Sequence, residues 1–148
     1  MSDPLYKRDL LRLAAGATGS GRLSVPCQTG AAHNPACGDK VTMDLAIAEG
    51  RIEAVAHHTM ACVLTQASAA ILGAEATGMS HAEVVELHGA VRTMLEGGEP
   101  PAPPFDIYSV FDGAAAHTSR HKCVLLPIEA ALAAFETLEG GEAGSERT

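Results

Sequence analysis

The order of local patterns along the chain predicts an α+β domain, with a small antiparallel sheet of about three strands and helices packed on one face. Val41, Met43, Leu45 and Ile47 alternate with Thr42, Asp44 and Ala46, which is the pattern of a half-buried strand. Glu49-Gly50 offers a turn, and residues 51–57 can return as a second strand of a hairpin. From residue 62 onward the apolar residues recur at helical spacing, and such stripes must bury themselves on the hairpin.

Taken from the start, residues 5–15 read as a helix whose apolar side is Leu5, Leu10, Leu11, Leu13 and Ala14, stopped by Gly16, Gly19, Ser20 and Gly21. Residues 22–39 carry Pro26, Gly30, Pro35 and Gly38 and are predicted to be irregular. After the hairpin, residues 62–76 form a helix of small and apolar residues ended by Gly78. Ser80 and Glu83 then make a capping box for a helix striped with Val84, Leu87, Val91 and Leu95. Residues 99–104 hold four prolines and form an extended linker. A weaker helical stretch covers 105–116. The last helix is predicted over 123–138, with Pro127 in an early turn, where proline is tolerated.

The chain of 148 residues suits one core, so residues 1–139 are expected to form a single domain and 140–148 a flexible acidic tail. Trp is absent and aromatics make up 3%, so Leu, Val, Ile, Ala and Met must build the interior. Acidic residues outnumber basic ones 18 to 10, for a net charge of −8, which argues against nucleic acid or an anionic membrane as partner. No apolar run approaches the roughly 20 residues that span a bilayer. Met1-Ser2-Asp3-Pro4 lacks a basic start followed by an apolar stretch. The expected location is the cytoplasm, where four cysteines stay reduced and metal or sulfur chemistry explains them better than disulfides.

Cys37 sits in the turn Asn34-Pro35-Ala36-Cys37-Gly38-Asp39, Cys62 where strand gives way to helix, and Cys123 at the start of the last helix. The latter two are thus expected at helix N-termini, where the dipole favours thiolate. Asp39 adds an oxygen donor two residues from Cys37. Three thiolates and a carboxylate suit Zn²⁺ or iron in a cluster, although cysteines at such spacing are also frequent core residues. Cys27, His33, His81 and His88 are better read as loop, surface or structural residues than as ligands, and strand alternation lets at most one of His57 and His58 point at the site.

The loop Asn34-Pro35-Ala36-Cys37-Gly38-Asp39 resembles the signature of the IscU/NifU/SufU-type iron–sulfur scaffold family. Leu5-Tyr6-Lys7-Arg8 resembles the family's opening helix, Thr59-Met60-Ala61-Cys62 its second cysteine segment, and Arg120-His121-Lys122-Cys123 its third. Lys122, standing where IscU proteins carry histidine, and the long stretch from Cys62 to Cys123 are similar to the SufU branch. Ala61 departs from the glycine usual before the second cysteine.

The resemblance implies an IscU-like fold and a metal site of Cys37, Asp39, Cys62 and Cys123 holding Zn²⁺, iron or a [2Fe–2S] cluster. It implies sulfur accepted from a pyridoxal-phosphate cysteine desulfurase (SufS-like) and apo iron–sulfur proteins as recipients; Cys37, on the glycine-containing loop, is the expected acceptor, and Arg120 is a candidate docking residue weighed against a simple surface charge. The expected function is an iron–sulfur assembly scaffold. A zinc-dependent sulfurtransferase that builds no cluster is the alternative, and a metal-free interaction module the second.

Overall fold

The computed structural model describes residues 8–24, 26–36 and 38–144, with side chains as far as 137. In chain order the elements are α1 (Arg8–Gly16), β1 (Gln28–Asn34), β2 (Asp39–Ala48), β3 (Arg51–Met60), α2 (Val63–Glu75), α3 (His81–Leu95), a 3₁₀ helix (Phe105–Ala114) and α4 (Thr118–Gly144). The three strands form one antiparallel sheet in the order β1-β2-β3. Leu5, Tyr6 and Lys7 of the expected opening helix lie outside the described residues, as do residues 145–148 of the tail.

The β2–β3 hairpin forms as its sequence predicts. Ala48 pairs with Arg51, leaving the two-residue turn Glu49-Gly50, in which both residues take positive φ, 54° and 78°. That backbone matches the twist of the flanking strands. Val41, Met43 and Leu45 point from β2 into the core, and Asp39, in phase with them, starts on the same face. Asp44, out of phase, is buried on the other side by Arg22, the Leu23 N–H and Thr29, its cross-strand neighbour. Burial pushes the Asp44 carboxyl up, but these hydrogen bonds and the Arg22 charge outweigh it and hold its pKa below the ordinary value.

Two segments differ from expectation, and so does the start of the last helix. Residues 28–34, predicted irregular, are strand β1. Gln28-Thr29-Gly30-Ala31-Ala32 lacks the β-branched alternation of a strand and is made one by pairing with β2 and by α4 lying across it. Residues 105–114 form a 3₁₀ helix, because Phe105, Tyr108, Phe111 and Ala114 recur every third residue and all four are buried. The last helix starts at Thr118 rather than residue 123, which moves Cys123 and Pro127 into its interior.

The capping box at the head of α3 is present: Glu83 N–H donates to Ser80 Oγ at 3.2 Å and Ser80 N–H to Glu83 Oε1 at 3.0 Å. Among the described residues no helix is long and apolar enough to cross a membrane.

His57 ties β3 to the turn after α1. Its Nε2 lies 2.9 Å from the Thr18 carbonyl, which can only accept, so Nε2 carries the proton and Nδ1 accepts from the Thr59 hydroxyl at 2.9 Å. Burial lowers the His57 pKa below its ordinary value. Between that lowered value and the unfolded value near ~6.5 the unfolded chain binds more protons, so stability falls as pH drops through this window. The urea midpoint is expected to decline on acidification from pH 7, and His57→Gln, which does not titrate, to flatten the profile. An equally steep profile in the variant would assign the effect elsewhere.

Candidate metal centre

The site is assembled where the start of β2, the start of α2 and the interior of α4 meet. β2 contributes Asp39, its first residue. Cys62 is the N-cap of α2, with extended backbone (φ −69°, ψ 170°) and no side-chain capping bond of its own. Cys123 faces inward from the second turn of α4 and is 1% exposed. Ligand atoms of Asp39, Cys62 and Cys123 all lie within 4.8 Å of one another.

Asp39 replaces the acidic residue that the first turn of α2 lacks. Its Oδ1 accepts the Cys62 N–H at 3.2 Å and its Oδ2 the Thr65 hydroxyl at 3.0 Å. A capping box would take the first of these roles from within the helix; here a strand residue supplies the carboxylate. Thr65 Oγ1 also lies 3.5 Å from Cys62 Sγ and 3.0 Å from the Cys123 carbonyl. That carbonyl would ordinarily receive the N–H of residue 127, but residue 127 is proline and has none. Thr65 therefore donates to an acceptor that residue 127 cannot serve. Next to it, Ser68 Oγ donates to the Val124 carbonyl at 2.7 Å and meets the Tyr108 hydroxyl at 2.9 Å, locking α2 to α4. Burial raises the Tyr108 pKa, leaving a neutral hydrogen-bonding phenol.

The donor set fits a metal. Tetrahedral Zn²⁺ with Zn–S near ~2.3 Å places ligand atoms roughly 3.3–3.8 Å apart, so the observed spacing needs to contract by only about 1 Å. Soft thiolates with one carboxylate suit zinc or iron rather than magnesium or calcium.

The sequence-predicted residues divide clearly. Asp39, Cys62 and Cys123 come together; Cys37 lies outside the described residues. Its hairpin is described on either side, with Asn34 paired to Asp39, Asn34 Oδ1 accepting the Ala36 N–H and the Gly38 N–H donating to the Asn34 carbonyl at 2.8 Å. Cys62 is at a helix N-terminus as expected. Cys123 is not, because the helix begins five residues earlier. Cys27 precedes β1 at the end opposite Asp39, roughly 24 Å away at ~3.4 Å per residue, and is no ligand. No histidine joins the group among the described residues. His57 and His58 point to opposite faces, one buried and one exposed. Ala61 is not at positive φ, so the glycine expected there is not required.

Lys122 turns away from the thiols. Its Nζ is 2.8 Å from Glu129 Oε1, and His88 Nε2 lies 3.1 Å from Oε2 of the same carboxylate. Burial pushes the Glu129 carboxyl up, but these two partners outweigh it and hold its pKa below the usual range. Lys122 thus belongs to an α3–α4 bridge. The sequence reading missed Thr65 and took Pro127 only as a residue of an early turn, although a Thr three residues after a candidate ligand, and a proline four after another, are visible signals.

No curated protein sequence matches the chain. Its fold is similar to the N-terminal part of a nitrogen-fixing NifU-like protein from Brucella abortus, with a TM-score of 0.88, 27% identity, and 93% of this chain and 96% of that one covered. It is also similar in fold to a candidate iron–sulfur cluster assembly scaffold protein for the SUF system from Fervidobacterium islandicum AW-1, with a TM-score of 0.78, 22% identity, and 88% and 96% covered. Residues 6–109 match the NifU-like N terminal domain family, and with the fold and the clustered Asp39, Cys62 and Cys123 this makes the chain a member of that family, the IscU/SufU scaffold family.

Proposed function

We propose that the protein is an iron–sulfur assembly protein that binds zinc or iron through Cys37, Asp39, Cys62 and Cys123 and accepts sulfur from a pyridoxal-phosphate cysteine desulfurase. The observation that carries this reading is the Asp39–Cys62–Cys123 cluster, built from three separate elements around one hydroxyl. Cys37 completes the set because two residue steps span at most about 7 Å, within reach of Asp39.

Zn²⁺ held there would keep the thiols deprotonated and tie the three elements together. Cys37, followed by Gly38 at φ 78°, is the proposed acceptor. Its thiolate attacks the terminal sulfur of a desulfurase cysteine persulfide; the new S–S bond forms as the old one breaks, and the desulfurase thiolate leaves. Met60, 64% exposed two residues before Cys62, offers an apolar contact beside the site, and Arg120 a charged one. Apo iron–sulfur proteins are the proposed recipients. The SufU assignment rests on the sequence features at Lys122 and between Cys62 and Cys123, and it favours a zinc-dependent sulfur relay as the second reading.

Metal and sulfide analysis of anaerobically purified protein, with its visible spectrum, separates the readings. Iron and sulfide in equal amounts with thiolate-to-iron absorption establish cluster holding. Colourless protein with one zinc per chain supports the relay. No metal bound, and none taken up when offered, overturns the site. Cys37→Ser is expected to abolish sulfur acceptance while leaving the fold intact; labelled sulfur still transferred from a desulfurase to the variant would remove Cys37 from the acceptor role.

A further inference from the structure

We infer that Thr65 is the positioning residue of the metal centre, its single hydroxyl proton shared between Asp39 and the Cys123 carbonyl, to which Pro127 can donate no N–H. The inference rests on the metal-site reading above and adds a role for a residue that is not itself a ligand.

Thr65 is fully buried in the first turn of α2. Its Oγ1 lies 3.0 Å from Asp39 Oδ2, 3.0 Å from the Cys123 carbonyl oxygen and 3.5 Å from Cys62 Sγ. One oxygen therefore touches all three residues of the cluster. A hydroxyl has one proton to donate and two lone pairs that accept. Both carbonyl and carboxylate are acceptors only, so at any instant one of them holds the proton and the other does not. Cys62, while protonated, can donate its S–H to Oγ1.

This sharing has a source in the helix. With an ordinary residue at position 127, its N–H would occupy the Cys123 carbonyl and Thr65 would serve Asp39 alone. Pro127 makes the carbonyl compete. Asp39 is thus held firmly at Oδ1 by the Cys62 N–H and part of the time at Oδ2 by Thr65. Turning the hydroxyl to the Cys123 carbonyl releases Oδ2 for a metal without leaving that carbonyl orphaned. The hydroxyl orients the carboxylate before binding and gives way when the ligand is engaged, the work of an outer-sphere partner in a metal site.

The test is a double-mutant cycle read by zinc affinity, measured by competition with a chromophoric chelator. Thr65→Val keeps the shape and removes the hydroxyl; it is expected to weaken zinc binding ~10–100-fold, as loss of an outer-sphere partner does. Thr65→Ser is expected to restore affinity. In an Asp39→Ala background, Thr65→Val should cost little more, because the residue it positions is gone. An equal loss in both backgrounds, or failure of serine to rescue, overturns the inference and leaves Thr65 a packing residue.

Should the valine variant not fold, Pro127→Ala carries the test. It returns an N–H to the Cys123 carbonyl and dedicates the hydroxyl to Asp39, so Oδ2 is released less readily and zinc binding should weaken about fivefold, the equivalent of one neutral hydrogen bond. Unchanged or tighter binding overturns the inference. If the unsubstituted chain takes up neither zinc nor ferrous iron, the metal-site reading and this inference both fail. Uptake that is indifferent to Thr65 and Pro127 defeats this inference alone.

Discussion

Replacing Gly30 with alanine is expected to be among the most destabilising single changes in the chain. A Cβ at residue 30 would land on the backbone N of Ala134 and the carbonyl oxygen of Ala130, and 2.7 Å from the carbonyl carbon of Ala133. These are main-chain atoms of α4 and cannot swing aside as a side-chain tip would. β1 and α4 would have to separate, opening the core that Met43, Cys123 and Phe135 help to fill. Overpacking of this kind costs about 3 kcal/mol or more, a large share of a stability of roughly 5–15 kcal/mol.

Gly89 provides the control. It lies in α3, and a Cβ there would meet nothing within 4 Å. Gly89→Ala should raise stability by about 0.5–1 kcal/mol through helix propensity. Urea denaturation of the two variants beside the parent chain checks both. A Gly30→Ala variant as stable as Gly89→Ala would mean that α4 does not lie against β1 as described.

The second large effect concerns the metal. Cys62→Ala should lower zinc affinity by more than ~100-fold, beyond the loss that follows removal of an outer-sphere partner. The metal-free fold should change little, since the Cys62 side chain is only half-buried and makes no capping bond. Cys27→Ala, at the far end of β1, should leave affinity unaltered. Chelator competition with circular dichroism on the same samples separates binding from folding. Retained affinity in Cys62→Ala would remove that thiol from the ligand set, and lost affinity in Cys27→Ala would contradict the strand geometry that sets it apart.

Much of this architecture was legible in the residues. The β2–β3 hairpin follows from strict alternation and a Glu-Gly turn, and α3 from a capping box and an apolar stripe, all features that act over a few residues. Cys62 at the head of α2 was readable for the same reason. The loop around Cys37, the segment at Cys62 and the run ending in Cys123 also carried the family resemblance that the comparisons bear out.

What the chain could not disclose locally was non-local in cause. β1 has weak strand propensity and exists because β2 pairs with it and α4 covers it at a glycine. The start of α4 was misplaced because Pro127 in isolation argues for a helix beginning nearby, and only the fold reveals that Thr65 from α2 donates to the carbonyl this proline cannot serve. The sequence by itself determined the α+β class, the central hairpin, the capped helix α3 and the candidate ligands Cys37, Asp39, Cys62 and Cys123. Tertiary structure alone decided that Asp39, Cys62 and Cys123 converge and that Lys122 turns away to Glu129. It also decided that one buried threonine hydroxyl joins the three, because such contacts depend on distances between elements that no local pattern encodes.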